Sequence, residues 1–244
     1  MLTQTLLNPL LYLLLVSPLL LLGRKHKDWQ WQILVLFAGY FLFDSLLTVL
    51  PTEVDALQFV GGEMNWEGKL LSYFGAFLFF VIFRQFTLEQ AGLRLRQDDG
   101  SAAYGQRNVM VFTVLVLIYG FLIGWFTATL ENGLFQLLMP SVVEEIVYRG
   151  ILLMLLNEVF SKPYRIGQTQ FGMGLIITAL LFGLWHSLSI EEGGKLYMNW
   201  GAFLITGGLG FYLGIVRERT GSLLYPIILH IIINLLPVLI GAVL

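Results

Sequence analysis

The sequence lacks cysteine and has few charged residues, and both absences restrict what the protein can be. Without cysteine there is no disulfide, no thiolate metal site and no cysteine nucleophile. Charged residues make up 12% of the 244 residues, whereas soluble domains carry roughly 25%. No stretch is basic enough to suggest a nucleic-acid partner, because binding a nucleic-acid backbone needs many clustered Lys and Arg. With 57% hydrophobic residues and a mean hydropathy of +0.78, the composition predicts an integral membrane protein.

Long apolar runs alternate with short polar connections along the whole chain. A helix needs about 20 apolar residues to cross a bilayer. Such runs occur near 5–23, 31–50, 69–87, 108–130, 134–157, 172–190, 199–216 and 221–243. We therefore expect an all-α, polytopic membrane bundle with about eight transmembrane helices. The first run lacks a preceding basic segment and is followed by Arg24, Lys25 and Lys27, so we expect a retained span and not a cleaved signal.

Basic residues are distributed unevenly among the connections between these runs. Eleven Lys and Arg fall in the first, third, fifth and seventh connections, and only Lys69 and Lys195 fall in the even ones. The positive-inside rule therefore predicts that the odd connections are cytoplasmic, with both termini on the opposite side of a plasma or inner membrane. A polar connection from about 88 to 107 divides a front part, residues 1–107, from a helical core, residues 108–244, within one membrane unit.

A few ionisable residues interrupt the apolar runs. They are Asp44, Glu144, Glu145, Arg149, His186 and His230. A charged residue near the centre of a span costs about 2.5–3.5 kcal/mol, so the two glutamates and the arginine together would cost about 8–10 kcal/mol. Glu145 and Arg149 are four positions apart with the acid first, which favours an ion pair on one helix face. Glu144 points about 100° away and needs a different partner. We expect a structural role for Asp44.

Pro140 lies four residues before Glu144, and two interpretations of it stay open. It either kinks the helix or restarts it. In the second case both carboxylates lie near a helix N-terminus, where the helix dipole favours negative charge.

Two of the three histidines fall inside apolar runs. Counted from the predicted cytoplasmic interface, His186 and His230 both lie roughly 15–18 Å deep, at 1.5 Å per residue. Glu144 lies at a comparable depth when its helix is counted from the outside. Asn234 follows His230 by four residues and shares its helix face. A single buried His or Asn commonly serves as an interhelical hydrogen-bonding group. A carboxylate with two imidazoles at one level is also the set that activates water, which we favour for the cluster.

These residues form three motifs that resemble a known family. EExxxR is present as Glu144-Glu145-Ile-Val-Tyr-Arg149, FxxxH ends at His186, and HxxxN runs from His230 to Asn234. The order and spacing resemble those of the CPBP intramembrane proteases, also called Abi or type II CAAX prenyl endopeptidase-like proteins. The resemblance covers roughly residues 134–240.

The resemblance implies hydrolysis of a peptide bond inside the membrane, with a peptide or protein substrate that is lipidated in the prenyl-processing case. Carried over by position, Glu144 would be the general base and His186 would help to hold and deprotonate the water. His230 and Asn234 would stabilise the oxyanion, and Glu145 with Arg149 would be the supporting pair. We expect the site to open towards the cytoplasmic leaflet.

Metal dependence is open at this point. Glu144, His186 and His230 match a catalytic zinc set of three protein ligands plus a water. No HExxH motif is present, however, and zinc on Glu144 would leave Glu145 as the base although Arg149 engages it. We therefore favour water activated directly by Glu144 and His186.

Two other classes of function compete with a protease. A proton-coupled transporter also uses intramembrane carboxylates and imidazoles, but the chain has no inverted repeat or paired broken helices. A non-catalytic scaffold or peptide-toxin immunity protein would keep the fold and should survive Glu144→Gln. The run near 199–216 also presents Gly210 and Gly214 in GxxxG spacing, for which we expect close packing inside the bundle, with dimerisation as the alternative.

Overall fold

The computed structural model describes residues 2–21, 30–123 and 128–243. Its α-helices are α1 (Leu2–Leu20), α2 (Gln30–Glu53), α3 (Trp66–Ile82), α4 (Ala102–Ile123), α5 (Leu130–Leu138), α6 (Pro140–Glu144), α7 (Leu153–Val159), α8 (Met173–Ser187), α9 (Trp200–Thr220) and α10 (Leu224–Gly241). The expected all-α architecture is confirmed. The basic cluster at Arg24, Lys25 and Lys27, on which part of the orientation prediction depends, lies outside the described residues.

The number of spans differs from the expectation. Within the described ranges, four helices are long and apolar enough to cross a membrane: Gln30–Glu53, Ala102–Leu122, Trp200–Thr220 and Leu224–Gly241. Leu6–Leu20 and Met173–Ser187 are apolar but shorter, and α3 carries Glu67 and Lys69 in its first turn. The expectation of about eight transmembrane helices is therefore not confirmed.

The run near 134–157 is broken at Met139, and the break resolves the two interpretations of Pro140. Met139 has φ −99° and ψ −83°, which ends α5, and Pro140 starts α6 at its first position. Proline fits there because its missing N–H would be unpaired in any case. The helix restarts, and Glu144 therefore lies just over one turn from a new N-terminus.

Residues Glu145–Leu152 then continue as a π-helix before α7 begins. Such wide turns are rare and are frequently found at functional sites. The segment is almost entirely buried. It packs against α2, α3, α8 and α9, so the polar side chains of the EExxxR motif face neighbouring helices.

Helices α8 and α9 pack closely because of glycines on α9. A Cβ at Gly214 would lie 2.0 Å from Leu175 Cδ1, and one at Gly210 would lie 3.1 Å from Phe182 Cδ1. Both neighbours belong to α8 of the same chain. The expected role of the small residues in packing within the bundle is confirmed.

Two short antiparallel hairpins, which the sequence did not predict, connect the helices. Strand β1 (Tyr164–Ile166) pairs with β2 (Thr169–Phe171) between α7 and α8, and β3 (Leu188–Ile190) pairs with β4 (Leu196–Met198) between α8 and α9. Gly167 turns the first hairpin with φ +58°, a conformation that glycine adopts without steric cost.

Candidate active site

Glu144 is paired with a lysine from the front part of the chain. Nζ of Lys69, in the first turn of α3, lies 2.6 Å from Glu144 Oε1, and the two side chains are only 12% and 11% exposed. Beside them Asp44 accepts a hydrogen bond from the Ser72 hydroxyl and lines the same small cavity as Lys69 and Glu144. The partner of Glu144, expected to differ from Arg149, is therefore the ammonium group of Lys69.

Glu145 and Arg149 form the expected ion pair, and His230 joins it. Arg149 Nη1 donates to Glu145 Oε1 at 2.7 Å, and both side chains are almost fully buried. His230 Nδ1 lies 2.7 Å from the same carboxylate oxygen. The Arg149 guanidinium also lies 4.3 Å from the ring centroid of Phe182, an arrangement that attracts a cation to the aromatic face. Two anions and two cations, Glu144 with Lys69 and Glu145 with Arg149, thus balance inside the bundle.

Hydrogen bonds define which nitrogen of each imidazole faces the site. His186 Nδ1 lies 2.8 Å from the carbonyl oxygen of Phe182. Since a carbonyl only accepts, Nδ1 carries the proton, and Nε2 is the acceptor in the neutral ring. His230 likewise donates from Nδ1 to Glu145, and its Nε2 lies 3.9 Å from Glu144 Oε2. Both Nε2 atoms are therefore free of protein hydrogen bonds among the described residues.

Asn234 is held by a short chain of polar groups from the break before α6. Its Nδ2 lies 3.4 Å from the Ser141 hydroxyl, which donates to the carbonyl oxygen of Gln136 at 2.7 Å. Helix α10 also packs directly against α5 and α6. The break at Met139 thus turns the chain so that Asn234 on α10 lies next to α6, which carries Glu144.

One cavity of about 430 Å³ joins these groups. Its polar lining includes Lys69, Glu144, His186, His230 and Asn234. The volume falls within the range of about 300–1,000 Å³ typical of ligand sites. Glu145 and Arg149 are buried behind this lining, in contact with it through His230.

Residues 127–236, which include all three motifs, match the family model described as "Type II CAAX prenyl endopeptidase Rce1-like". This segment is an Rce1-like domain. The family implies a protease embedded in a membrane. No curated protein and no solved structure matches the chain.

Lys69 and Asp44 lie outside the Rce1-like domain, and the sequence reasoning missed Lys69 as a member of the site. The sequence places Lys69 in an outer connection. Asp44 accepts a hydrogen bond from Ser72 beside the cavity, which agrees with the structural role expected for it. A signal was available, because Lys69 is one of only two basic residues that the positive-inside pattern leaves on the outer side. A cation so close to a predicted span calls for a buried anion as its partner.

The positions of Glu144, His186 and His230 do not fit the expected zinc site. Among the described residues, no group of three His, Asp or Glu side chains lies close enough to hold a metal. The ammonium of Lys69 already lies against Glu144 Oε1, where it would repel a divalent cation. The expected set of Glu144, His186 and His230 lines one cavity without forming a ligand cage.

The lining of the cavity includes residues of the connection between α2 and α3. Glu63, Met64 and Asn65, from the connection between α2 and α3, line one end of it. The basic-residue distribution places this connection on the non-cytoplasmic side. With the predicted orientation, this part of the lining lies towards the outer side, whereas we expect an opening to the cytoplasmic leaflet, and labelling from each side of the membrane distinguishes the two.

Proposed function

We propose that the protein is an intramembrane endopeptidase that hydrolyses a peptide bond with water activated by Glu144 and His186. The observation that carries the proposal is the single cavity shared by Glu144, both imidazoles and Asn234. It agrees with the protease family to which the Rce1-like domain belongs.

In the first step a water attacks the carbonyl carbon of the scissile bond, and Glu144 accepts its proton. Lys69 occupies Oε1 of that carboxylate, which leaves Oε2 to act as the base. The nearby positive charge stabilises the ionised form of Glu144 in surroundings of low dielectric constant. His186 Nε2, which is a hydrogen-bond acceptor in the same cavity, orients the water.

The tetrahedral intermediate carries a negative charge on the former carbonyl oxygen. Asn234 Nδ2 donates a hydrogen bond to this oxygen, and His230, which lines the same cavity, helps to position it. Glu144 then returns its proton to the leaving nitrogen, the carbon–nitrogen bond breaks, and an acid and an amine are released. Glu145 and Arg149 hold the His230 ring in place through Nδ1 and do not touch the reacting atoms.

The substrate is, we propose, a peptide or protein segment that reaches the cavity from the surrounding lipid. Apolar side chains of Phe182, Leu209, Leu213 and Ile233 line the cavity beside the polar groups. Such walls suit an extended peptide with apolar side chains or a lipidated end.

Cleavage of a quenched, lipidated CAAX-type peptide by purified protein in detergent tests the proposal. Wild type would be compared with Glu144→Gln, which removes the base with almost no change of shape. Glu158→Gln, in the last turn of α7, makes the same change outside the cavity. Each protein would be assayed with and without a zinc chelator.

We expect turnover in wild type and Glu158→Gln, loss in Glu144→Gln, and no effect of the chelator. Loss of wild-type turnover with chelator would overturn the metal-free step and restore the zinc alternative. Equal cleavage by wild type and Glu144→Gln would overturn the role of Glu144.

A further inference from the structure

A second polar cavity lies at the other end of the bundle from the connection between α2 and α3, which contributes to the active-site lining. Its volume is about 580 Å³, and it lies where α4 begins, α9 ends and the β1–β2 hairpin turns. Two arginines line it, Arg107 on α4 and Arg219 on α9, together with Tyr104, Gln168 and Thr169. None of these residues belongs to the candidate active site.

Neither arginine is neutralised by a carboxylate among the described residues. Arg219 Nη2 donates to the amide oxygen of Gln168 at 2.6 Å, and the Arg107 guanidinium lies 5.9 Å from the ring centroid of Tyr104. The nearby acidic groups are already engaged by other cations.

The acidic groups around the cavity pair as follows. Asp98 pairs with Arg94, and Asp99 pairs with Arg96. Glu218, the residue before Arg219, pairs with Lys162. The cavity therefore keeps two uncompensated positive charges that converge on one space.

The position of the cavity indicates what would supply the missing negative charge. Residues 102–122 of α4 and the whole of α9 are candidate membrane spans, so their shared ends lie at a membrane surface. The basic-residue pattern makes this the cytoplasmic surface, where anionic phospholipids concentrate. Gly100 beside the cavity has open space around its Cβ position, and the N-terminus of α4 adds a favourable dipole for an anion.

We propose that this cavity binds a phosphate-bearing anion, held between Arg107 and Arg219. Phosphate oxygens accept charge-assisted hydrogen bonds from guanidinium groups. Basic pockets between membrane helices on the cytoplasmic side bind anionic head groups by this chemistry. The ligand is either the head group of an anionic phospholipid or a soluble phosphate.

Binding to the full-length protein in maltoside detergent tests the proposal. The probes are short-chain phosphatidylglycerol, short-chain phosphatidylcholine, and glycerol phosphate, each titrated and followed by thermophoresis. Wild type would be compared with Arg107→Gln, Arg219→Gln and the double variant. Arg219→Lys keeps the charge, and Arg96→Gln removes an exposed arginine on the same surface. Thermal unfolding would verify that each variant is folded.

We expect wild type to bind phosphatidylglycerol more tightly than phosphatidylcholine. Each arginine-to-glutamine change in the cavity should weaken binding about fivefold, with Arg96→Gln unchanged and Arg219→Lys retaining most of the affinity. If glycerol phosphate binds with the same dependence on both arginines, and phosphatidylglycerol does not bind more tightly than glycerol phosphate, the site is supported with a soluble phosphate as its ligand. Unchanged binding of all probes by the double variant would overturn the proposal.

Discussion

The ammonium of Lys69 lies 2.6 Å from the carboxylate of Glu144, and this contact joins the front part of the chain to the Rce1-like domain. Neither group would be stable alone at this depth, because an unpaired charge within a bilayer costs several kcal/mol. Their pairing leaves Glu144 ionised, with one oxygen directed towards the cavity. The front helices therefore contribute to the proposed chemistry as well as to the packing.

Replacing Lys69 by Met should reduce kcat by about 100-fold or more. Without the ammonium, Glu144 would be protonated in its apolar surroundings and would no longer act as a base, whose contribution is typically 10²–10⁴-fold. Lys69→Arg should restore part of the activity, and Lys162→Met, at a pair remote from the cavity, should have no effect. Full peptide cleavage by Lys69→Met would refute the role assigned to this pair.

Asn234→Ala should lower kcat by about 10²–10³-fold with little change in KM. A donor to the oxyanion acts in the transition state and contributes little to substrate binding. Steady-state kinetics on the quenched peptide separates the two constants. Asn108→Ala, which removes a half-buried amide paired with Tyr212, controls for general loss of packing. A rise in KM alone would show that Asn234 binds substrate.

Arg149→Met should lower the folding stability of the protein in addition to any loss of activity. Removing one partner of a buried ion pair leaves an uncompensated charge and costs about 3–5 kcal/mol. Combining Glu145→Gln with Arg149→Met should be less destabilising than the sum of the two single changes. Thermal unfolding in detergent measures the three variants, and Arg96→Met, at an exposed pair, should not change the unfolding temperature. Additive losses would contradict a coupled pair.

The sequence allowed much of the site to be predicted and little of the membrane arrangement. The i, i+4 spacing of Glu145 and Arg149 requires only local helix geometry, so their pair was predictable. The meeting of His230 with Glu145 depends on how α10 packs against the break at Met139. The Lys69–Glu144 pair joins residues 75 positions apart, and no local pattern encodes such a distance.

The connection between α2 and α3 should become more accessible to a protease when Glu131 on α5, which holds it, is replaced. Glu131 Oε1 accepts hydrogen bonds from the backbone N–H of Glu63 at 2.9 Å and of Met64 at 3.2 Å, and from Trp66 Nε1 at 3.2 Å. Glu131→Ala removes all three acceptor contacts, so cleavage between residues 58 and 65 by an added protease should become faster. Glu192→Ala, on the connection between β3 and β4, is the matched control. Equal cleavage rates in the two variants would show that the connection is held by other contacts.

The side to which the active site opens can be measured because the chain has no cysteine. Glu63→Cys places a single thiol at the lining of the cavity, and Asp99→Cys places one on the fully exposed Asp99 position in the connection before α4. The basic-residue distribution predicts that a membrane-impermeant maleimide added outside intact cells labels Glu63→Cys and leaves Asp99→Cys unlabelled. Opening the cells should expose Asp99→Cys, which controls for its reactivity. The reverse pattern would show that the charge rule misorients the bundle and that the cavity faces the cytoplasm.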